Sequence, residues 1–101
     1  MTKKINEKEK EINKIKELLN KVKHPEINNS LVELGMIGEI QIKDKVIVEL
    51  KLPAQGVPIA DMLSDLIKEG LKDFSVEVNF SVMNEKEKQK FFELAQKNWA
   101  L

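Results

Sequence analysis

The residues best placed for chemistry lie in LPAQGVPIADML, Leu52 to Leu63. A strand-like run ends at Pro53, a Gly-containing turn follows, and an amphipathic helix begins at Pro58. That order gathers backbone N–H groups at a helix N-terminus, where an anion, a thiolate or a metal-bound group is stabilised. Gly56 and Pro58 are equally the ordinary chemistry of a turn. Gly reaches backbone angles that other residues avoid, and Pro suits the first helical position. Gln55 is the one polar side chain of the turn and reads either as a contact or as a bystander. Asp61 follows in the first helical turn, where the helix dipole alone accounts for it.

A second group precedes it. His24 is the sole histidine of the chain and stands before Pro25, with Glu26 and Glu33 beyond. An imidazole can ligate a metal or carry a proton. A histidine exposed at a helix end, near the last carbonyls, explains it as well. Glu26 and Glu33 together offer hard oxygen ligands to a cation, or they cap turns. Ser30, Ser64, Ser75 and Ser81 form no Ser/His/Asp arrangement, so no catalytic residues are assigned and no enzyme activity is expected.

Composition narrows the classes further. The chain has 101 residues, a length for one domain. Its 17 basic and 17 acidic side chains cancel, which argues against a general nucleic-acid binder and against electrostatic docking to a membrane. There are no cysteines, so disulfides, thiolate metal sites and Cys nucleophiles within this chain are excluded. A protein-only metal site is not expected. The first residues carry charge without an apolar core, unlike a secretory signal, and no apolar run reaches the roughly 20 residues of a membrane span. A cytoplasmic location is the expectation.

The elements that must position these residues follow from periodicity. Residues 1–11 read as a charged N-terminal extension, partly helical, and residues 12–101 as one domain. Ile12, Ile15, Leu18, Leu19 and Val22 recur at helical spacing, and Pro25 stops that helix near Val22 or Lys23. The segment through Gly35 reads as a loop with a short turn at Leu31–Leu34. Ile40 and Ile42 share one face of a first strand. Val46, Val48, Leu50 and Leu52 share one face of a second, and the short Lys43–Lys45 connection makes the pair a hairpin. Ile59, Met62, Leu63, Leu66, Ile67, Leu71 and Phe74 line the apolar face of the second helix, opposite Asp61, Ser64 and Asp65. Val76, Val78, Phe80 and Val82 share one face of a third strand. Asn84 to Glu87 reads as a capping box opening a last helix over 85–100, with Phe91, Phe92, Ala95 and Trp99 on one side. If that stripe does not dock fully, it becomes a partner or dimer surface. The order α-β-β-α-β-α predicts an α+β fold of two layers, helices packed on a small three-stranded mixed sheet.

In sequence order, His24-Pro25-Glu26, Leu31-Val32-Glu33-Leu34-Gly35-Met36-Ile37 and Pro53-Ala54-Gln55-Gly56-Val57-Pro58 resemble the SufT/PaaD-like iron–sulfur cluster assembly family. This is domain-of-unknown-function family 59, related to the N-terminal domain of Mrp-type cluster-carrier ATPases. The resemblance runs from about Ile12 to Val82. It implies assembly or maturation of iron–sulfur proteins, or support of a multicomponent oxygenase of the phenylacetyl-CoA epoxidase kind. The family's turn carries a cysteine where this chain has Val57, and an acidic residue where it has His24. A valine offers no ligand, whereas a cysteine at a helix mouth is a competent thiolate. No GxxxxGK[ST] sequence is present, so the chain carries no ATPase of its own. The expectation is an adaptor that binds no cluster directly and holds one only with partner ligands. Its partners are iron–sulfur assembly proteins, client apoproteins or a second copy. His24, Glu26, Glu33, Gln55, Gly56, Val57 and Asp61 are the candidate contacts. Direct iron binding by His24, Glu26 and Glu33 is the lesser alternative.

Overall fold

In the computed structural model, which describes residues 7–56 and 58–99 (Lys8 by its backbone alone), three helices and three strands follow the expected order. They are α1 (Glu7–Leu19), β1 (Ile37–Ile42), β2 (Val46–Leu52), α2 (Ala60–Gly70), β3 (Val76–Val82) and α3 (Glu85–Asn98). The fold is α+β, as the alternating periods predict. Of the charged N-terminal extension, residues 7–11 are helical and residues 1–6 lie outside the described residues. No helix among the described residues is long and apolar enough to cross a membrane.

The sheet order is β1-β2-β3. β2 pairs antiparallel with β1 and parallel with β3, from Val46↔Val76 through Leu52↔Val82. Burial along β2 alternates without a break, with Val46, Val48, Leu50 and Leu52 inward. These four meet Ile15, Leu19, Leu63 and Ile67 from the helices in one core. Each such aliphatic side chain contributes about 1.5–3 kcal/mol by leaving water.

Several boundaries differ from the sequence reading. α1 ends at Leu19 rather than near Val22, and Lys21 and Val22 donate to the carbonyls three residues back, tightening its last turn. The Val22 carbonyl is free to do something else: it accepts from Leu31 N–H at 2.9 Å, and Lys23 bridges Ser30. α2 begins at Ala60, with Ile59 already helical (φ −83°, ψ −3°) as its unassisted N-cap, so Pro58 precedes the first helical position. Ser64, expected on the polar face, is buried, and Met62, expected inward, is 54% exposed. In α3 the capping box forms as expected. Asn84 Oδ1 accepts from Glu87 N–H at 2.8 Å, and Glu87 Oε1 accepts from Asn84 N–H at 2.9 Å. Phe91 and Ala95 are buried, whereas Phe92 and Trp99 are half-exposed, so the aromatic stripe docks along one edge only.

β1 is not a plain alternating strand. Its register slips between Ile37 and Ile40, where three steps in β1 face two in β2, a β-bulge. The bulge turns the Glu39 N–H to the outer sheet face, where Glu49 Oε1 accepts it at 2.9 Å. Glu49 Oε2 accepts from the Ser81 hydroxyl at 2.8 Å. One carboxylate on the central strand thus fastens both neighbours, and the bond from Glu39 N–H, more than any other contact, holds that carboxyl below the usual range. Gly38 makes room for it, since a Cβ there would overlap the Glu49 carboxylate. Gly38→Ala is expected to destabilise the domain by about 1–2 kcal/mol, because the Glu49 carboxylate must swing aside and give up its bonds to Glu39 N–H and Ser81. Urea denaturation of the two proteins checks this, and an unchanged midpoint would show that the bulge tolerates a side chain.

Candidate functional site

The turn singled out in the sequence closes one end of the sheet. β2 runs out at Leu52, whose carbonyl accepts from Met83 N–H at 2.8 Å, and the chain bends through Pro53 and Ala54. Gly56 has φ +70°, a left-handed conformation that glycine adopts without a Cβ penalty. Residue 57 lies outside the described residues, so the position of the family cysteine is known here from sequence alone.

Ala54, Gln55 and Gly56 form one wall of a cleft of about 530 Å³. Leu52 and Ala60 floor it, and Phe80, Ser81 and Val82 form the far wall. Among the described residues no charged side chain lines it. Phe80 and Val82 were expected to be covered along with Val76 and Val78. They are instead 50% and 43% exposed. The helix that covers β3 starts only at Ala60 and buries Leu63, Ser64 and Ile67, so the end of β3 nearest the turn keeps an open apolar face. Phe80 and Val82 are the site residues that sequence reading missed. Their alternation marks them as inward, but nothing local says that the helix stops short of them.

The candidate residues fall into two groups. Gln55 and Gly56 line the cleft, exposed, and Asp61 is exposed in the first turn of α2, one residue beyond Ala60. His24, Glu26 and Glu33 lie instead in the loop between α1 and β1, where each serves a local turn. Glu33 Oε1 accepts from Ser30 N–H at 2.8 Å, and Ser30 Oγ accepts from Glu33 N–H at 3.0 Å. This is a second capping box, legible as Ser-x-x-Glu in Ser30 to Glu33 and overlooked because the turn it caps is short. The Ser30 N–H, then Asn29, hold the Glu33 carboxyl below its ordinary range. Among the described residues no three His, Cys, Asp or Glu side chains are grouped to hold a metal ion.

His24 is buried, 8% exposed, rather than displayed at a helix end. Its Nδ1 accepts from Glu26 N–H at 3.0 Å, which leaves the proton of the neutral ring on Nε2. The bond spans residues i and i+2, as in an Asx turn, so the imidazole acts as acceptor where the resembled pattern has an acidic side chain. The His24 backbone N–H donates to the Asn29 carbonyl at 3.0 Å. The same loop receives the end of α3: Asn28 N–H donates to the Asn98 carbonyl, Asn98 Nδ2 donates to Asn29 Oδ1, and Ile27 bridges Trp99. Burial pushes the His24 pKa down, and the Glu26 carboxylate offsets part of that. Because the folded value lies below the unfolded one, the unfolded chain binds a proton first as pH falls. Stability is therefore full above about pH 6.5 and declines as pH drops through the unfolded and then the folded value. With one histidine in the chain, the loss that sets in as pH falls below about 6.5, before the carboxylates titrate, belongs to His24. Urea midpoints at pH 7.5 and 5.5 should differ in the natural chain and converge in His24→Asn, which keeps an acceptor and cannot titrate. Equal pH dependence in both proteins would refute this assignment.

Comparison with known proteins gives the family. The family model described as iron–sulfur cluster assembly protein matches residues 12–81. Among solved structures, a domain of unknown function, DUF59, from Bacillus anthracis is similar at a TM-score of 0.66 and 19% sequence identity, over 82% of this chain and 90% of that one. That likeness speaks for the fold. No curated protein matches the chain. The matched region takes in α1 from Ile12 onward, the His24 to Gly35 loop, the hairpin, the Pro53 to Pro58 turn and nearly all of β3. The chain belongs to the iron–sulfur cluster assembly protein family.

Proposed function

We propose that this chain is a non-enzymatic adaptor in the assembly or maturation of iron–sulfur proteins, acting in the cytoplasm by protein–protein contacts at the Pro53–Pro58 turn. The observation that carries the reading is the uncharged cleft beside that turn, walled by half-exposed Phe80 and Val82, in a chain with no thiol of its own. An apolar cleft of this size accepts one or two side chains of a client or assembly factor. Its one hydroxyl, Ser81, is committed to Glu49 in fastening β3 to β2, and the described lining holds no histidine, lysine or carboxylate for acid–base catalysis. The cluster is cargo, ligated by cysteines of the partner. Gln55 at the rim supplies a hydrogen-bonding group, and Asp61 a negative charge, to orient what docks there.

Two experiments test this reading. A photo-crosslinking residue at Gln55, in the native host, should capture an assembly factor or a cluster-dependent enzyme, while the same residue at Lys14 on α1 should not. Equal labelling from both positions, or capture of neither class of protein from Gln55, would count decisively against the adaptor. The second test separates lost ligand from lost architecture. Under anaerobic reconstitution with iron and sulfide, the natural chain should stay colourless, and Val57→Cys should acquire sulfur-to-iron charge-transfer absorption. A coloured natural chain would place a ligand set in this protein and overturn the proposal.

A further inference from the structure

The two edges of the sheet are treated differently. β1 carries the bulge at Gly38, which bends and interrupts that edge. β3 pairs with β2 in unbroken register from Val76 to Val82 and contains no Pro and no Lys, the usual means of blunting an edge. Its one charge, Glu77, is tied back to Lys45 at 2.7 Å. The Ser75 carbonyl accepts from Val46 N–H, and Met83 N–H donates to the Leu52 carbonyl, so both point toward β2. Backbone groups alternate sides along a strand. The N–H and C=O groups of Val76, Val78, Phe80 and Val82 therefore point away from β2, and no backbone hydrogen bond among the described residues reaches that side.

We propose that β3 pairs antiparallel with β3 of a second copy, about a two-fold axis through Asn79, joining two sheets into one of six strands. The register follows from the strand itself. Centred on Asn79, Val76 faces Val82 and Val78 faces Phe80 of the other copy, so every outward-pointing residue meets an outward-pointing residue. Each such pair exchanges two hydrogen bonds. Centring elsewhere leaves part of the strand unpaired, and centring on Glu77 sets two carboxylates face to face. About Asn79 the inner face is apolar against apolar, and half-exposed Phe80 and Val82 gain cover. On the outer face Glu77 meets Ser81, and Asn79 meets Asn79, so no like charges are opposed. The chain's net charge of zero adds no long-range repulsion between copies. A seven-residue pairing extends over only about 23 Å, a small contact, which makes the dimer reversible on dilution.

Exposed Asn79 provides the test, since its side chain lies outside the core. In sedimentation equilibrium the natural chain should show twice its 11.6 kDa mass at high concentration and move toward that mass on dilution. Asn79→Asp and Asn79→Lys each set like charges across the axis and should each sediment as a monomer with an unchanged circular dichroism spectrum. An equimolar mixture of the two should recover the dimer, because the opposed charges now differ in sign. A natural chain that remains monomeric at the highest soluble concentration overturns the proposal, as does either variant dimerising alone or a mixture that fails to associate. Mass is read without any client present, so a monomeric natural chain leaves the adaptor reading standing; a dimer would share Phe80 and Val82 with the client cleft, and dimer and client should then compete.

Discussion

Strand β2 is hydrogen-bonded along both sides, and that double pairing sets the register for everything around it. Its inward residues Val46, Val48, Leu50 and Leu52 are all buried and must meet helices. Its outward residues do a different job. Glu49 accepts from the bulged Glu39 N–H and from Ser81, and Lys51 forms an ion pair with Glu87 in the first turn of α3. The hydrogen bond from Lys51 is also what chiefly holds the Glu87 carboxyl below its usual range. Hydrophobic burial fixes which face of β2 is in. The polar contacts then select one alignment of β1, β3 and α3 among those that burial alone would allow.

The loop from Lys23 to Met36 is the second support. It is long for a connection in a small domain, and its backbone groups need partners. It supplies them from within. Lys23 bridges Ser30, the Ser30–Glu33 box caps a single turn, and Met36 N–H closes that turn on the Leu31 carbonyl past Gly35 at φ +75°. The end of α3 docks on the same loop through Ile27, Asn28 and Asn29. The motif His-Pro-Glu therefore acts structurally here: it shapes the seat for the last helix. This gives His24 and Glu33 a physical reason to be present that requires no metal, while Glu26 contributes its backbone N–H to the His24 turn.

Local signals were the legible ones. The capping box at Asn84 and the alternation of β2 were plain in the sequence because each depends on residues within a few positions. The turn at Pro53 to Pro58 was equally plain, since Pro and Gly act on their own backbone. Features that depend on a distant neighbour were hidden. The bulge at Gly38 is set by Glu49, eleven residues away, and His24 is buried by a loop whose closure involves α3. The exposure of Phe80 and Val82 depends on where α2 begins, which the helix-start preference of proline placed at Pro58 and the structure places at Ala60. Two residues of helix decide whether the end of β3 is core or cleft wall.

The distribution of charge bears on what the cleft can recognise. The four glutamates with depressed pKa values, Glu33, Glu49, Glu77 and Glu87, are bound to backbone N–H groups, Ser81 or lysines. Carboxylates used in this way hold the fold together and are not free to gather around a cation. Nothing charged remains in the lining beside the Pro53 turn. Discrimination there has to come from shape, from apolar area and from the few polar groups at the rim. A metal ion would find no charged ligand among the described lining, whereas an apolar side chain of a protein would leave water without stranding a polar group. The absence of the family cysteine and the neutrality of the cleft thus point the same way. In this chain the turn closes one end of the sheet beside a cleft whose described lining carries no charge, and that neutrality is what supports the proposed adaptor role.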